Sequence, residues 1–142
     1  MYAMSLLQSL AFACHLFAIA TILAFGLAYL FSRQFMPYHG VALGKEWSET
    51  PKEVQILVLA LMRAVAGGAL AVATLELFLL FIPFRAGAVW AYWAIPLAGM
   101  VLSAGSLYAM STVSTNTPAR PPFRPVLIGT AANMTGLCLT LL

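Results

Sequence analysis

The sequence predicts an all-α polytopic membrane protein, a four-transmembrane-helix antiparallel bundle, on three observations. The first is composition: of 142 residues, 63% are hydrophobic and only 8% charged, with a mean hydropathy of +0.96. A water-soluble fold would have nowhere to put that much apolar surface. The second is distribution. The apolar residues gather into four stretches, giving helices at about 6–31, 51–83, 89–110 and 125–142. A span needs about 20 mostly apolar residues to cross a hydrocarbon core of ~30 Å, and the stretches are of that order or longer. The third is where polarity collects. Proline and charge concentrate in an interfacial loop at 32–50 and a polar loop at 111–124. No connection is long enough for a soluble domain, so residues 1–142 read as one integral membrane domain.

The first helix is a retained span rather than a signal peptide. No Lys or Arg precedes it, and its apolar run is longer than the 7–15 residues of a signal h-region. Ser32, Arg33 and Gln34 mark the return to water. In the following loop Pro37, Gly40 and Gly44 bend the chain, while Phe35, Met36, Tyr38 and Trp47 give it an apolar side, so it lies in the interface. The second helix has the clearest start: Thr50 as N-cap, Pro51 at the first helical position, and Glu53 three residues after the cap. It is longer than the core is thick and must tilt, protrude or bend near Gly67-Gly68. Pro83, Arg85 and Gly87 turn the chain into the third helix, where Trp90, Tyr92 and Trp93 form an interfacial belt. The last helix is the shortest.

The net charge of +3 and pI near 9.1 do not point to nucleic acid. Arg33, Lys45, Lys52, Arg120 and Arg124 belong to the first and third loops, against Arg85 alone on the opposite side. Cations so placed orient a membrane protein, with these loops cytoplasmic and both termini outward. The expected setting is a bacterial inner membrane, with lipid as the primary partner and a second copy or another membrane protein as a further one. Cys14 and Cys138 fall inside apolar stretches, read as small buried hydrophobes, and imply no metal.

Polar groups at membrane depth are the candidates for function, because an ionisable residue there is costly and faces protein or water. Arg63 and Glu76 share the second helix but point about 220° apart, ~20 Å along its axis, and do not pair. Each lies near an opposite interface, where a long side chain can snorkel to the headgroups. His15, Glu76 and Asn133 lie ~10–13 Å in from the same membrane face, on three different helices. They can therefore meet in one polar layer, either as a proton-holding site or as a hydrogen-bonded clamp without chemistry. His39, in the first loop, reads as a surface histidine.

Close packing, within a tight bundle or in a dimer, is expected at small residues: Ala60, Ala64, Gly67, Gly68 and Ala71 form a stripe on the second helix, and Gly99 and Ser103 repeat the spacing on the third. No phosphate-binding glycine loop, serine nucleophile elbow, HExxH helix or histidine cluster is present, and no cofactor is implied. Met36-Pro37-Tyr38 after the first helix, and the run Arg63-Ala64-Val65-Ala66-Gly67-Gly68-Ala69-Leu70-Ala71 in the second, resemble the DoxX-like group of small four-helix bacterial membrane proteins. The resemblance implies a four-helix bundle and little about activity. The leading expectation is a non-enzymatic accessory or small-molecule-binding bundle. Proton-coupled transport of hydrophobic or cationic solutes through Glu76 is the alternative, and a membrane redox accessory or enzyme using His15 or His39 the second.

Overall fold

The computed structural model describes residues 4–142, and among these the regular structure is entirely helical. The helices are α1 (Leu6–Phe31), α2 (Pro37–Leu43), α3 (Lys52–Leu79), α4 (Val89–Asn116) and α5 (Phe123–Leu141). A 3₁₀ turn (Trp47–Glu49) precedes α3, and a π turn (Leu80–Phe84) follows it. Three helical stretches are long and apolar enough to cross a membrane: α1, α3 with its π turn, and α4. Helix α5 is shorter, at 19 residues, and carries Arg124, Asn133 and three threonines.

Each boundary has a local cause. Helix α1 opens on a reciprocal cap, Ser5 Oγ accepting from the Gln8 amide and Gln8 Oε1 from the Ser5 amide. Within the interfacial loop, Pro37 starts α2, and Gly44 ends it in the left-handed region at φ 63°, where a Cβ would be strained. The start of α3 corrects the sequence reading. Thr50 does not cap it; its hydroxyl donates to Glu46 O, and Pro51 is the N-cap residue. Gln55 instead reaches back, its Nε2 donating to Trp47 O and Thr50 O, so a side chain inside the first turn secures the loop.

The long third helix does not break at its glycine pair. Helical structure runs through Gly67 and Gly68 and changes only at residues 80–84. The cause is Pro83, which has no N–H to offer and widens the last turn. Helix α4 also runs further than expected, past Met110 to Asn116. The polar residues that looked like a loop fold their side chains back on the helix: Thr112 Oγ1 donates to Tyr108 O, Thr115 Oγ1 to Ser111 O, and Asn116 Nδ2 to Thr112 O. Pro121, Pro122 and Pro125 confine the reversal to the few residues before and at the start of α5.

Helix α1 is the centre of the packing, lying along both α3 and α5; α5 also packs on α4, and α4 closes more loosely on α3. Neighbours run antiparallel. Gly26 of α1 meets Leu70 and Ala66 of α3, whereas Phe12 meets Phe81 and Phe84 beyond the end of α3. Likewise Thr21 meets Gly129 of α5, and His15 meets Gly136. The face that α1 buries is Ala11, His15, Ala18, Ile19 and Gly26, one helical stripe. Ile19, Leu80, Phe84, Ala91 and Ile95 form the apolar core beside it.

The small-residue stripe of α3 is not covered within the bundle. Ala60, Ala64, Gly67, Gly68 and Ala71 are all exposed, and a Cβ on Gly67 or Gly68 would meet nothing within 4 Å. Helix α3 buries Met62, Ala66, Ala69, Ala73 and Glu76 instead. Small residues surround this helix, so spacing alone did not distinguish the two faces; the bulk of Met62 and Leu80 and the polarity of Glu76 mark the inner one. The outward faces remain apolar, with Leu57, Leu61, Leu75, Phe78, Trp93, Leu97 and Val101 all exposed. A helix that is apolar all round belongs in a core or in hydrocarbon. Cys138 is exposed on α5, contrary to its reading as a buried hydrophobe, and Cys14 is half-buried.

Antiparallel packing puts Arg33, Lys45, Lys52, Arg120 and Arg124 at one end of the molecule, all exposed, and Arg85 at the other. Residues 1–3, the amino-terminal tip assigned to the outward side by charge, lie outside the described residues.

Candidate functional site

The polar residues of the interior come together where α1, α3, α4 and α5 meet. His15 is 0% exposed, Glu76 2% and Asn133 4%. Their helices face them inward because each sits on its helix's buried stripe: His15 between Ala11 and Ala18, Glu76 between Ala73 and Leu80, Asn133 between Gly129 and Gly136.

Asn133 is the hub. Its Oδ1 lies 2.8 Å from His15 Nδ1, and its Nδ2 donates to Pro96 O at 3.3 Å. A carbonyl only accepts, so the contact with Pro96 fixes which end of the amide faces which neighbour. It follows that Asn133 Oδ1 accepts from His15 and that His15 carries a proton on Nδ1; in the neutral ring His15 Nε2 is then a bare acceptor. That nitrogen is buried without a hydrogen-bond partner in the structure, as is Glu76 Oε1. The centre is thus short of donors.

Glycines create the room. A Cβ on Gly99 would lie 2.5 Å from Asn133 Nδ2 and 3.1 Å from Glu76 Oε1, so the amide and the carboxyl converge on the same bare stretch of α4 backbone. A Cβ on Gly136 would lie 2.8 Å from His15 Nε2. The imidazole is held on its remaining side by Phe84, whose ring stands edge-on to it with centroids 5.8 Å apart. Interhelical hydrogen bonds in membrane proteins average about 0.6 kcal/mol and reach ~1.7. The two bonds of Asn133 therefore tie α1, α4 and α5 together at modest strength.

A cavity of about 320 Å³ opens beside this centre, between α1, α4 and α5. Asn133 and Gly99 stand at one end, and Met110 and Pro122 line the other. Its wall hydroxyls are largely spent on their own helices: Thr21 Oγ1 donates to Ala18 O, Ser106 Oγ to Leu102 O, and Thr130 Oγ1 to Val126 O. The cavity therefore presents mostly apolar surface, with the Asn133 amide and the Ser103 hydroxyl as its polar groups. The second N–H of the amide and the second lone pair of Oδ1 remain for a guest.

Of the residues singled out from sequence, Arg63 does not join this centre. It is exposed on the outer face of α3, opposite in direction to Glu76. Gly99 proves to be part of the polar centre as well as a packing residue, and Ser103, one turn further along, lines the cavity. Sequence reasoning missed Pro96, whose carbonyl anchors Asn133, and Gly136, which admits the imidazole. The spacing of Gly129, Asn133 and Gly136 puts all three on one face of α5, and that signal was available. His39, read as a surface histidine, is half-buried on α2 and faces a different cavity.

Among the described residues, no three His, Cys, Asp or Glu side chains converge as a metal-binding set. The chain matches no family model, no curated protein and no solved structure.

Proposed function

We propose that this chain is a four-span membrane protein that binds a small, largely apolar, uncharged molecule between α1, α4 and α5, with Asn133 reading the guest's one polar group. The observation that carries this reading is the cavity of about 320 Å³ ending on a buried amide with hydrogen-bonding capacity left over. Sites of this kind are mostly apolar with a few placed polar groups, and volumes begin near ~300 Å³. The outward apolar residues support a lipid setting, with α5 as the fourth and shortest span. The five cations gathered at one end support a cytoplasmic position for that end and an outward one for the termini.

Binding of 1-naphthol, an uncharged aromatic with one hydroxyl, to protein in lipid nanodiscs tests the proposal. Saturable binding above the lipid background is expected. Ser103→Phe, which puts a ring into the cavity, removes the saturable part, and Asn133→Leu weakens it about fivefold, as expected for one hydrogen bond. Equal uptake by the Ser103→Phe protein and the unaltered protein would refute the site.

A second reading, proton-coupled movement of a solute, is favoured by one specific pair of atoms. His15 Nε2 and Glu76 Oε1 are buried acceptors that nothing satisfies, and a proton or a donating guest completes either one. On this reading Glu76 exchanges its proton as the guest arrives. Proteoliposomes with a pH-sensitive dye inside report it: an imposed gradient dissipates through the unaltered protein once a solute such as 1-naphthol is added and not before, and Glu76→Gln abolishes the flux while preserving the fold. Flux through Glu76→Gln at the original rate would eliminate Glu76 as the carrier.

A further inference from the structure

A second cavity, of about 400 Å³, lies between α1, α2, α3 and α4, toward the end of the molecule that carries the five cations. It occupies the seam where α4 packs most loosely on α3, and α2 lies across it. Met62, Met110 and Phe25 contribute to its apolar lining, and Met110 and Phe25 also border the first cavity.

Apart from Ser106 of α4, whose hydroxyl donates to Leu102 O, its polar side chains come from α1 and α2. Tyr29 of α1 and Tyr38 of α2 join their hydroxyls in a hydrogen bond, and His39 stands beside them, its ring centroid 4.2 Å from that of Tyr38. The Tyr29 ring is edge-on to the same imidazole. His39 Nδ1 is buried and has no hydrogen-bond partner. His39 borders the cavity, and its buried nitrogen is a group whose hydrogen bonding the chain leaves incomplete. Two phenols sharing one hydrogen bond also keep a second O–H, a donor that remains to be placed.

The rest of the lining defines the partner. No Lys, Arg, Asp or Glu borders the cavity, so nothing there neutralises a charged head. Burial lowers the His39 pKa from its ordinary value of 6.5, which keeps the ring uncharged at neutral pH. Leu43, Leu61 and Val65 line the cavity yet are each about half exposed on the outside of the molecule. The cavity therefore communicates with the outer face of α3, where the surroundings are hydrocarbon.

We infer that this cavity is a second ligand site, which takes a neutral single-chain amphiphile from the bilayer, its hydroxyl head on His39 Nδ1 and the Tyr29–Tyr38 pair and its chain along the α3–α4 seam. A hydroxyl suits the site because it both donates and accepts, so it pairs with the free phenolic hydrogen and with either tautomer of the imidazole. The site has polar groups of its own, and Phe25, Ser106 and Met110 form a wall common to both cavities.

The experiment uses dodecanol bearing a diazirine in its chain, photolysed with the full-length protein in nanodiscs, with the labelled peptides mapped by mass spectrometry. Labelling is expected on α2, on α3 between Val58 and Val65, and on α4 between Ser106 and Val113, competed by unlabelled dodecanol but not by dodecane or dodecyl phosphate. Ala109→Trp, which fills the cavity, is expected to abolish the competed signal, and His39→Leu to weaken competition about fivefold, the loss expected for one hydrogen bond. Ser103→Phe, in the other cavity, leaves it unchanged. Labelling spread around all the outer faces without competition would overturn the inference, because the seam would then be bathed in bulk lipid. Equal competition by dodecane would overturn the role of the polar wall. Labelling and competition unaltered by both Ala109→Trp and His39→Leu would place the bound chain elsewhere.

Discussion

Gly99→Ala is the sharpest perturbation of the polar centre, since it adds one methyl group where two functional side chains converge. The new Cβ would stand 2.5 Å from Asn133 Nδ2 and 3.1 Å from Glu76 Oε1. The first distance forces a movement, and the amide is not free to make it cheaply. It is held by His15 on one side and by Pro96 O on the other. Displacing it weakens both bonds, which in a membrane protein contribute about 0.6–1.7 kcal/mol each. Against that stands the ordinary gain of Ala over Gly within a helix, roughly 0.8–1 kcal/mol. Gly67→Ala and Gly105→Ala isolate that gain, because a Cβ at either position meets nothing within 4 Å. Gly99→Ala is therefore expected to be less stable than Gly67→Ala by about 1–3 kcal/mol. Unfolding in mixed micelles by titration with SDS, followed by helical circular dichroism, measures the difference. In an Asn133→Ala background the Gly99 substitution should lose most of its cost, a coupling of about 1–2 kcal/mol between neighbours. If Gly99→Ala proves as stable as Gly67→Ala, the amide is not held where these contacts put it, and the argument for a preorganised centre fails.

Asn133→Leu keeps the volume but leaves the His15 Nδ1–H and its tautomer without support, so a loss of about 1–3 kcal/mol is expected by the same titration, against almost none for Thr135→Leu on the exposed face of α5. His39 supplies a pH dependence of definite sign. Its folded pKa lies below 6.5, so the unfolded chain takes up the proton first as the solution is acidified. The His39 contribution is complete above about 6.5 and disappears as pH falls through the folded value. The melting temperature in detergent should accordingly fall more steeply below pH 6.5 for the unaltered protein than for His39→Phe, and parallel curves would count against the buried neutral ring.

The three longest helices were legible because length and continuous apolarity are one-dimensional properties, which counting along the chain recovers. The bounds of α1 follow from that count and from the Ser5–Gln8 cap. The end of α4 did not, since Ser, Thr and Asn read as a loop in any pattern based on polarity. In this chain their side chains return to the helix's own carbonyls, so polarity cost the helix nothing. The choice of inner face on α3 was equally obscure. Glycine and alanine occur on both sides of that helix, and only the neighbours determine which side is covered.

The sequence by itself determined the helical class, the long apolar helices and the heights of His15, Glu76 and Asn133 along their own helices, because each of these depends on residue type and on a fixed rise along one helix. Only the tertiary structure decided which azimuths face one another. It placed Asn133 between an imidazole and the Pro96 carbonyl, cleared the space with Gly99 and Gly136, and turned Arg63 outward. Depth is a property of a single helix, whereas contact is a property of several, and the rotation of each about its axis is set by packing that no single segment encodes.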